Sequence, residues 1–318
     1  METALPEHIT DFGAVAAERF AILGGPQAAL LTESDRGLRR RAATALRELG
    51  AFDLDVRAST DELLAAAALC RAAGATLLPY PVVEELLAVD GAKLALIDPR
   101  APRVDHGDLG ESWRLADLDG TLYTVTMGSA VAGSGGHAKL GPFTVAAQNL
   151  QLAGAVPLSD VRLHLILTSW RLLGAVERAV QITSDHVQAR TQFGKPLSDF
   201  QTVRFRMADT SVALRGLEEL AKFTLSRWTA APSAIGWTDA VMLKIQAADT
   251  SFTVMRTCHQ LLGALGFCDE SDISVIDRHI QPALRSPESA VALTVRLLPN
   301  LAAGDVQTLF STPAAARS

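Results

Sequence analysis

The sequence predicts a mainly α protein with a small β domain set between two helical regions, and three observations carry the prediction. Ala and Leu dominate a chain that is 48% hydrophobic, 20% charged and 5% aromatic. Long stretches without Gly or Pro place apolar residues at helical spacing. One segment breaks that texture with Gly, Pro and Asp between short β-prone runs. The expected division is an N-terminal helical domain over 1–90, a β domain over 91–157 and a C-terminal four-helix domain over 158–318.

From about 32 to 90 the chain reads as short amphipathic helices. LTESDRGLRRRAATALRELGAF sets Leu38, Ala42, Leu46 and Leu49 on one face. STDELLAAAALCRAAGA opens with a Ser59–Glu62 capping box. The run RGLRRR (36–41) reads as a solvated helix face rather than a phosphate-binding patch. Strands are expected in KLALI, GTLYTVTM and GPFTVAAQ. GSGGHA (133–138) matches a loose GxGxxA pattern, but no helix follows it, so it reads as a loop between strands.

Four longer helices are expected after residue 158. The first is capped by Ser159 or Asp160 and runs to about Arg190. A Ser198–Gln201 capping box opens the second, and Thr238 caps a third that reaches about Leu262. The fourth opens at Ser286, with Pro287 at its first position, where no amide donor is needed.

Composition excludes several classes of function. A net charge of −6 argues against a nucleic-acid surface, which needs a clustered positive excess. Three cysteines without CxxC spacing give neither a disulfide framework nor a zinc site, and no metal is expected. No basic n-region precedes an apolar run and no apolar stretch is long enough for a bilayer, so a cytoplasmic protein is expected.

The most informative segment is RTQFGKPLSDFQ (190–201). Between two long helices it offers a guanidinium, two amides, an aromatic and a glycine. Arg suits bidentate phosphate binding, and an aromatic beside it can pack on a flat ring. The plain alternative is a helix–helix turn with Phe193 in the core. The segment resembles the R-x-x-F-G-K…Q loop of the acyl-CoA dehydrogenase family. WRLLGAVERAVQITSDHVQAR (170–190) resembles the family's preceding helix, and CHQLLGALGF (258–267) is similar to its Q-x-x-G-G-x-G-F/Y loop. The resemblance runs from about 158 to 300 and is weaker over 32–90.

That resemblance implies FAD-dependent α,β-dehydrogenation of an acyl-CoA thioester, in which a carboxylate removes the α-proton and flavin takes the hydride. It implies that Arg190 contacts the pyrophosphate of FAD held mainly by a neighbouring subunit. Gln192 and Phe193 would approach the same dinucleotide, and Gln201 would hold the loop. Gln260 and Gly263 would meet the adenosine end. An electron-transfer flavoprotein is the implied electron acceptor.

The chain also departs from the family. The usual base, a Glu nine residues after the Arg of an R-D-A-like motif, falls on Pro287 when counted from Arg278, and His279 replaces the Asp. The adjacent Glu288 is this chain's candidate catalytic residue, although an end-of-helix charge favoured by the dipole is the simpler account. His164 stands where some members place the base, and Leu165 where a CoA-contacting Arg often stands. LALIDP (94–99) echoes the L-T-E-P strand without the Gly-Ser-Asp that follows it. The chain is shorter than typical members, with much of the deficit in 91–157.

These departures imply a reduced β domain in a subunit of the heterotetrameric α2β2 type found in actinobacterial steroid catabolism. A second, full-length subunit would seat the FAD and carry the glutamate, and a steroid-derived CoA ester would be the substrate. A self-sufficient homo-oligomer using Glu288 and a flavin-free scaffold are the alternatives.

Overall fold

The computed structural model describes residues 4–23, 25–110, 112–128, 140–230 and 236–302. GSGGHA lies outside the described residues. Helices α1 (Glu7–Ala21), α2 (Gly25–Thr32), α3 (Arg36–Glu48), α4 (Thr60–Ala75) and α5 (Val82–Leu86) precede the sheet. Ser59 caps α4 as expected, accepting from the Glu62 amide at 3.2 Å, and satisfies a donor the helix itself leaves orphaned. Along α3, Ala42 and Leu46 are buried as their spacing predicts.

The run RGLRRR is not wholly solvated, which corrects the sequence reading. Arg39 is 1% exposed. Its guanidinium donates to Asp108 Oδ1 at 2.7 Å and lies 4.2 Å from the centre of the Phe143 ring. A carboxylate supplied from beyond the first strands turns this one arginine inward, because a buried charge needs a partner.

Five strands form the central sheet: β1 (Lys93–Leu96), β2 (Arg103–Val104), β3 (Trp113–Ala116), β4 (Thr121–Met127) and β5 (Val145–Ala155), in the order β1-β3-β4-β5-β2. β1 pairs with β3 in parallel, and the other pairings are antiparallel. Side chains alternate between faces. Leu94 and Leu96 join the main helical core, while Ala95 and Ile97 pack with Val104, Trp113 and Leu115 in a smaller one.

Helices α6 (Leu158–Ala189), α7 (Gln201–Ala230), α8 (Trp237–Leu262), α9 (Asp272–Arg285) and α10 (Ala290–Ala302) follow. Four were expected here, so α9 is a correction. Its apolar positions Ile273, Ile276 and Ile280 are buried at helical spacing, but Pro282 inside it argues for a loop when the sequence is read alone. Helix starts differ as well. α6 begins at Leu158 behind Pro157, and Asp160 pairs with Arg57 at 2.9 Å instead of capping. α7 begins at Gln201, because the Phe200 amide bonds to Leu197 O and closes a separate tight turn first. α8 begins at Trp237 behind Gly236, with Thr238 buried inside its first turn. Ser286 instead closes α9, its amide bonded to Pro282 O, and Ser289 caps α10, its Oγ accepting from the Ala292 amide at 3.3 Å.

α4 and α6 cross at Gly74 and Gly174. A β-carbon on Gly74 would strike the Arg171 carbonyl oxygen, and one on Gly174 would strike that of Arg71. Beside the crossing, Arg71 bonds to Glu177 on α6 and, at 3.1 Å, to Glu218 on α7. Gly174→Ala is expected to cost about 3 kcal/mol, since overpacked backbone contacts cannot relax, lowering Tm by roughly 4–5 °C for a chain of this length. An unchanged melting curve by circular dichroism would show that the two backbones do not touch.

Candidate functional site

The C-terminal end of α6 hands the chain to a two-stranded ribbon, β6 (Thr191–Gln192) and β7 (Lys195–Pro196). Arg190 ends the helix in extended conformation, its amide bonded to His186 O at 2.8 Å. The Leu197 amide returns to Arg190 O at 2.8 Å and closes the base of the ribbon. At its tip Phe193 and Gly194 both have positive φ, 52° and 79°. A bulky residue rarely adopts that conformation, and a two-residue hairpin turn of this hand requires it.

Phe193 is 92% exposed, so the alternative of a core aromatic is corrected. Its ring meets Phe200 edge-on at 6.4 Å, and Lys195 Nζ sits 4.4 Å from the Phe200 ring. The aromatic stands out from the surface with a polar loop beneath it.

α8 ends opposite. Gly263 has φ 62° and ψ −136°, a backbone open to glycine and strained for other residues. The 263–267 turn folds back so closely that a β-carbon on Gly266 would lie 2.9 Å from His259 O.

Between the ribbon and this turn lies an open cleft of about 710 Å³. Arg190, Gln192, Gln260 and Gly263 all line it. Phe193 and Gln201 are not in its wall; the first projects from the rim and the second opens α7. Thr202, Val203 and Arg206 bring the positive end of α7 and a second guanidinium. Arg206 escapes sequence reasoning, although its place four residues after Thr202 puts both on one helix face. No Asp or Glu lines the cleft, and among the described residues neither arginine has an ion-pair partner. Burial and the nearby Arg190 charge lower the pKa of His186 in the same wall. Two guanidiniums, two amides and a helix N-terminus without a counter-charge form a donor set for a polyphosphate.

Glu288 lies elsewhere. It is buried, and both its oxygens accept from Arg296 Nε, at 3.0 and 3.1 Å. His164 lines a different cavity of about 40 Å³ between β1, α5, α6 and α9, with Glu84, Asp105, Thr168 and Arg171. Burial first, then the Lys244 charge, push His164 down to about 3, so its ring is neutral. Burial raises Glu84 and takes Asp105 up to about 7. His164 Nδ1 meets Thr168 Oγ1 at 3.3 Å, while its Nε2 has no hydrogen-bond partner. This cavity admits water but is far smaller than ordinary cofactor pockets of about 300–1,000 Å³. Glu84 and Asp105 are acids the sequence did not single out.

No group of three or more His, Cys, Asp or Glu suited to a metal occurs among the described residues, and no described helix is long and apolar enough to cross a membrane.

Comparison with known proteins places this geometry. Residues 161–284 match the family model described as acyl-CoA dehydrogenase, C-terminal domain. Acyl-CoA dehydrogenase FadE28 of Mycobacterium tuberculosis is 36% identical over 93 residues, which are 29% of this chain and 27% of that protein. The chain thus spans about a quarter of the length of that relative. Among solved structures, the ChsE4–ChsE5 complex from Mycobacterium tuberculosis aligns with TM-score 0.74 at 18% identity, over 99% of this chain and 100% of the other. A variant of the Tcur3481–Tcur3483 steroid ACAD aligns with TM-score 0.74 at 17% identity, over 94% and 98%. At those identities the two structures speak for the fold. Over residues 161–284 the chain is thus similar to an acyl-CoA dehydrogenase C-terminal domain, and its fold as a whole follows the two solved complexes.

Proposed function

We propose that this chain is the cofactor-completing subunit of an FAD-dependent acyl-CoA dehydrogenase, working with a second subunit that seats most of the FAD and supplies the catalytic glutamate. One observation carries the reading: the donor-rich cleft at Arg190 is open and free of acids, while the cavity at His164 is too small for a flavin ring.

The donor chemistry of the cleft fits the dinucleotide. Arg190 and Arg206 neutralise the diphosphate, and fixed guanidinium forks hold its oxygens better than point charges would. Gln192 and Gln260 offer amides that can donate and accept, suited to ribose hydroxyls and adenine nitrogens. Gly263 lets a flat group approach backbone, and the exposed Phe193 is available to pack against the cofactor or the partner. When bound, flavin accepts the hydride removed from the acyl thioester. Gln201 acts at one remove, setting the start of α7.

Solved complexes of this fold include one described as a steroid ACAD, which supports a steroid-derived CoA ester as substrate and a heterotetramer as the assembly. An electron-transfer flavoprotein completes the reading as acceptor, and the cytoplasm as its setting.

Co-expression with a full-length dehydrogenase partner tests it. Flavin and turnover are expected in the complex and in neither chain alone. Arg190→Ala and Arg206→Ala should each weaken FAD retention by roughly tenfold to a hundredfold, the loss of a charge-assisted hydrogen bond, with a shallower dependence on salt. Retention unchanged in both variants would return the chain to a flavin-free scaffold.

Glu288→Gln separates the two catalytic alternatives. With the base in the partner, turnover of the folded complex should stay within about twofold, as for a substitution outside the reacting site. Abolished turnover with flavin and fold intact would instead assign the base to Glu288 and make the chain self-sufficient.

A further inference from the structure

His259 lies in the last turn of α8, one residue before Gln260, and its ring is held on both sides. Nδ1 lies 2.6 Å from Gly266 O, and Nε2 lies 3.2 Å from Asp277 Oδ2 on α9. A carbonyl and an ionised carboxylate can only accept. A neutral imidazole has one N–H and would set a lone pair against one of them; the imidazolium satisfies both. Gly266 O takes a second bond from Ser274 Oγ at 2.7 Å, and Asp277 is steadied by Gln281 Nε2 at 2.8 Å.

We propose that His259 is a positioning residue: as the imidazolium it clamps the 263–267 turn to α9 and so presents Gln260 and Gly263 to the cleft, and its deprotonation loosens the turn. The charged groups around it are few. Asp277 faces it from α9, and Arg278 beside Asp277 is engaged by Glu33 and Asp269 O. Asp249 and Arg256 of α8 and Arg285 of α9 line the hollow that His259 shares. The Phe267 ring covers one side at 5.5 Å. The Asp277 hydrogen bond, opposed by burial and helped by Gly266 O, raises the pKa of His259 above the ordinary histidine value. A raised folded pKa fixes the sign. The clamp is complete below the ordinary histidine range and is lost as pH rises through the folded value.

The clamp stands on geometry alone; its effect on FAD rests on the function proposed above. Hydrogen exchange of the 263–268 amides, measured on the full chain in its complex and corrected for intrinsic rates, tests the clamp directly. Protection should fall about tenfold between about pH 6 and about pH 8.5, as a bond to a charged donor is lost. In His259→Gln it should be low and flat across that range. Protection independent of pH in the unsubstituted protein, or the same step in His259→Gln, overturns the inference. Nitrogen-detected NMR of the unsubstituted protein is a second test, and a neutral His259 at about pH 6 overturns it too. FAD retention is read separately. A step in exchange without any flavin binding would keep the clamp and remove the cofactor reading, and flavin held through Arg190 with flat exchange would do the reverse.

Discussion

Two helices can meet backbone to backbone only where both lack side chains, and the rest of this structure depends on such a meeting between Gly74 of α4 and Gly174 of α6. Because the crossing is so close, small residues such as Ala67, Ala73 and Ala175 fill the space around it, fully or almost fully buried. The N-terminal helices and the C-terminal bundle therefore share one core. Arg71 closes the solvent side of the crossing by holding Glu177 and Glu218, and Arg57 ties the first turn of α6 through Asp160. Held in this way, α6 is a 32-residue rod, about 48 Å long, and both polar sites of the molecule hang on it.

The two sites have opposite electrostatic designs. Around His164 the polar groups are inside: Glu84 and Asp105 face Arg171, and burial drives Glu84, Asp105 and His164 towards their neutral forms. Such a cluster has little reason to attract an anion, and its small volume gives an anion no place to sit. Lys244, buried and shifted down to about 8, meets the end of α9 at Leu284 O, 3.5 Å away, and reaches the cavity only through its charge, which helps to keep His164 neutral. At the other end of α6 the charges are outside and unbalanced. Arg190 and Arg206 face solvent without a carboxylate between them, so the field of the cleft is positive in a chain whose net charge is negative.

How much of this was legible follows from how local each signal is. Ser59 and Glu62 need only each other, and the sequence shows the cap. The strands around 93–96, 121–127 and 145–155 appear as β-prone runs because their pattern is local too. Helix starts at Ser198, Thr238 and Ser286 differ from the expectation because the local turn or the preceding helix end sets the first helical residue. A hydroxyl caps only where the backbone places the following amides within its reach, which the residue's own side chain does not decide. Arg39 was misread because its partner Asp108 lies far along the chain. In the cleft, Arg190, Gln192, Gln260 and Gly263 were legible through motif resemblance. Arg206 and the His259–Asp277 clamp were not: Arg206 lies outside the motifs, and His259, although inside one, finds its partner Asp277 on a helix that only packing brings near.

The length of α6 also constrains how a cofactor can be shared. His164 and Arg190 are 26 residues apart on or at the end of one helix, which separates them by about 39 Å along its axis. No single extended dinucleotide reaches from one to the other. A dinucleotide whose diphosphate rested on Arg190 would therefore keep its reactive ring away from this chain's own inner cavity. The separation follows from a single helix, crossed at Gly174 by α4, that places a cation at one end and a closed pocket near the other.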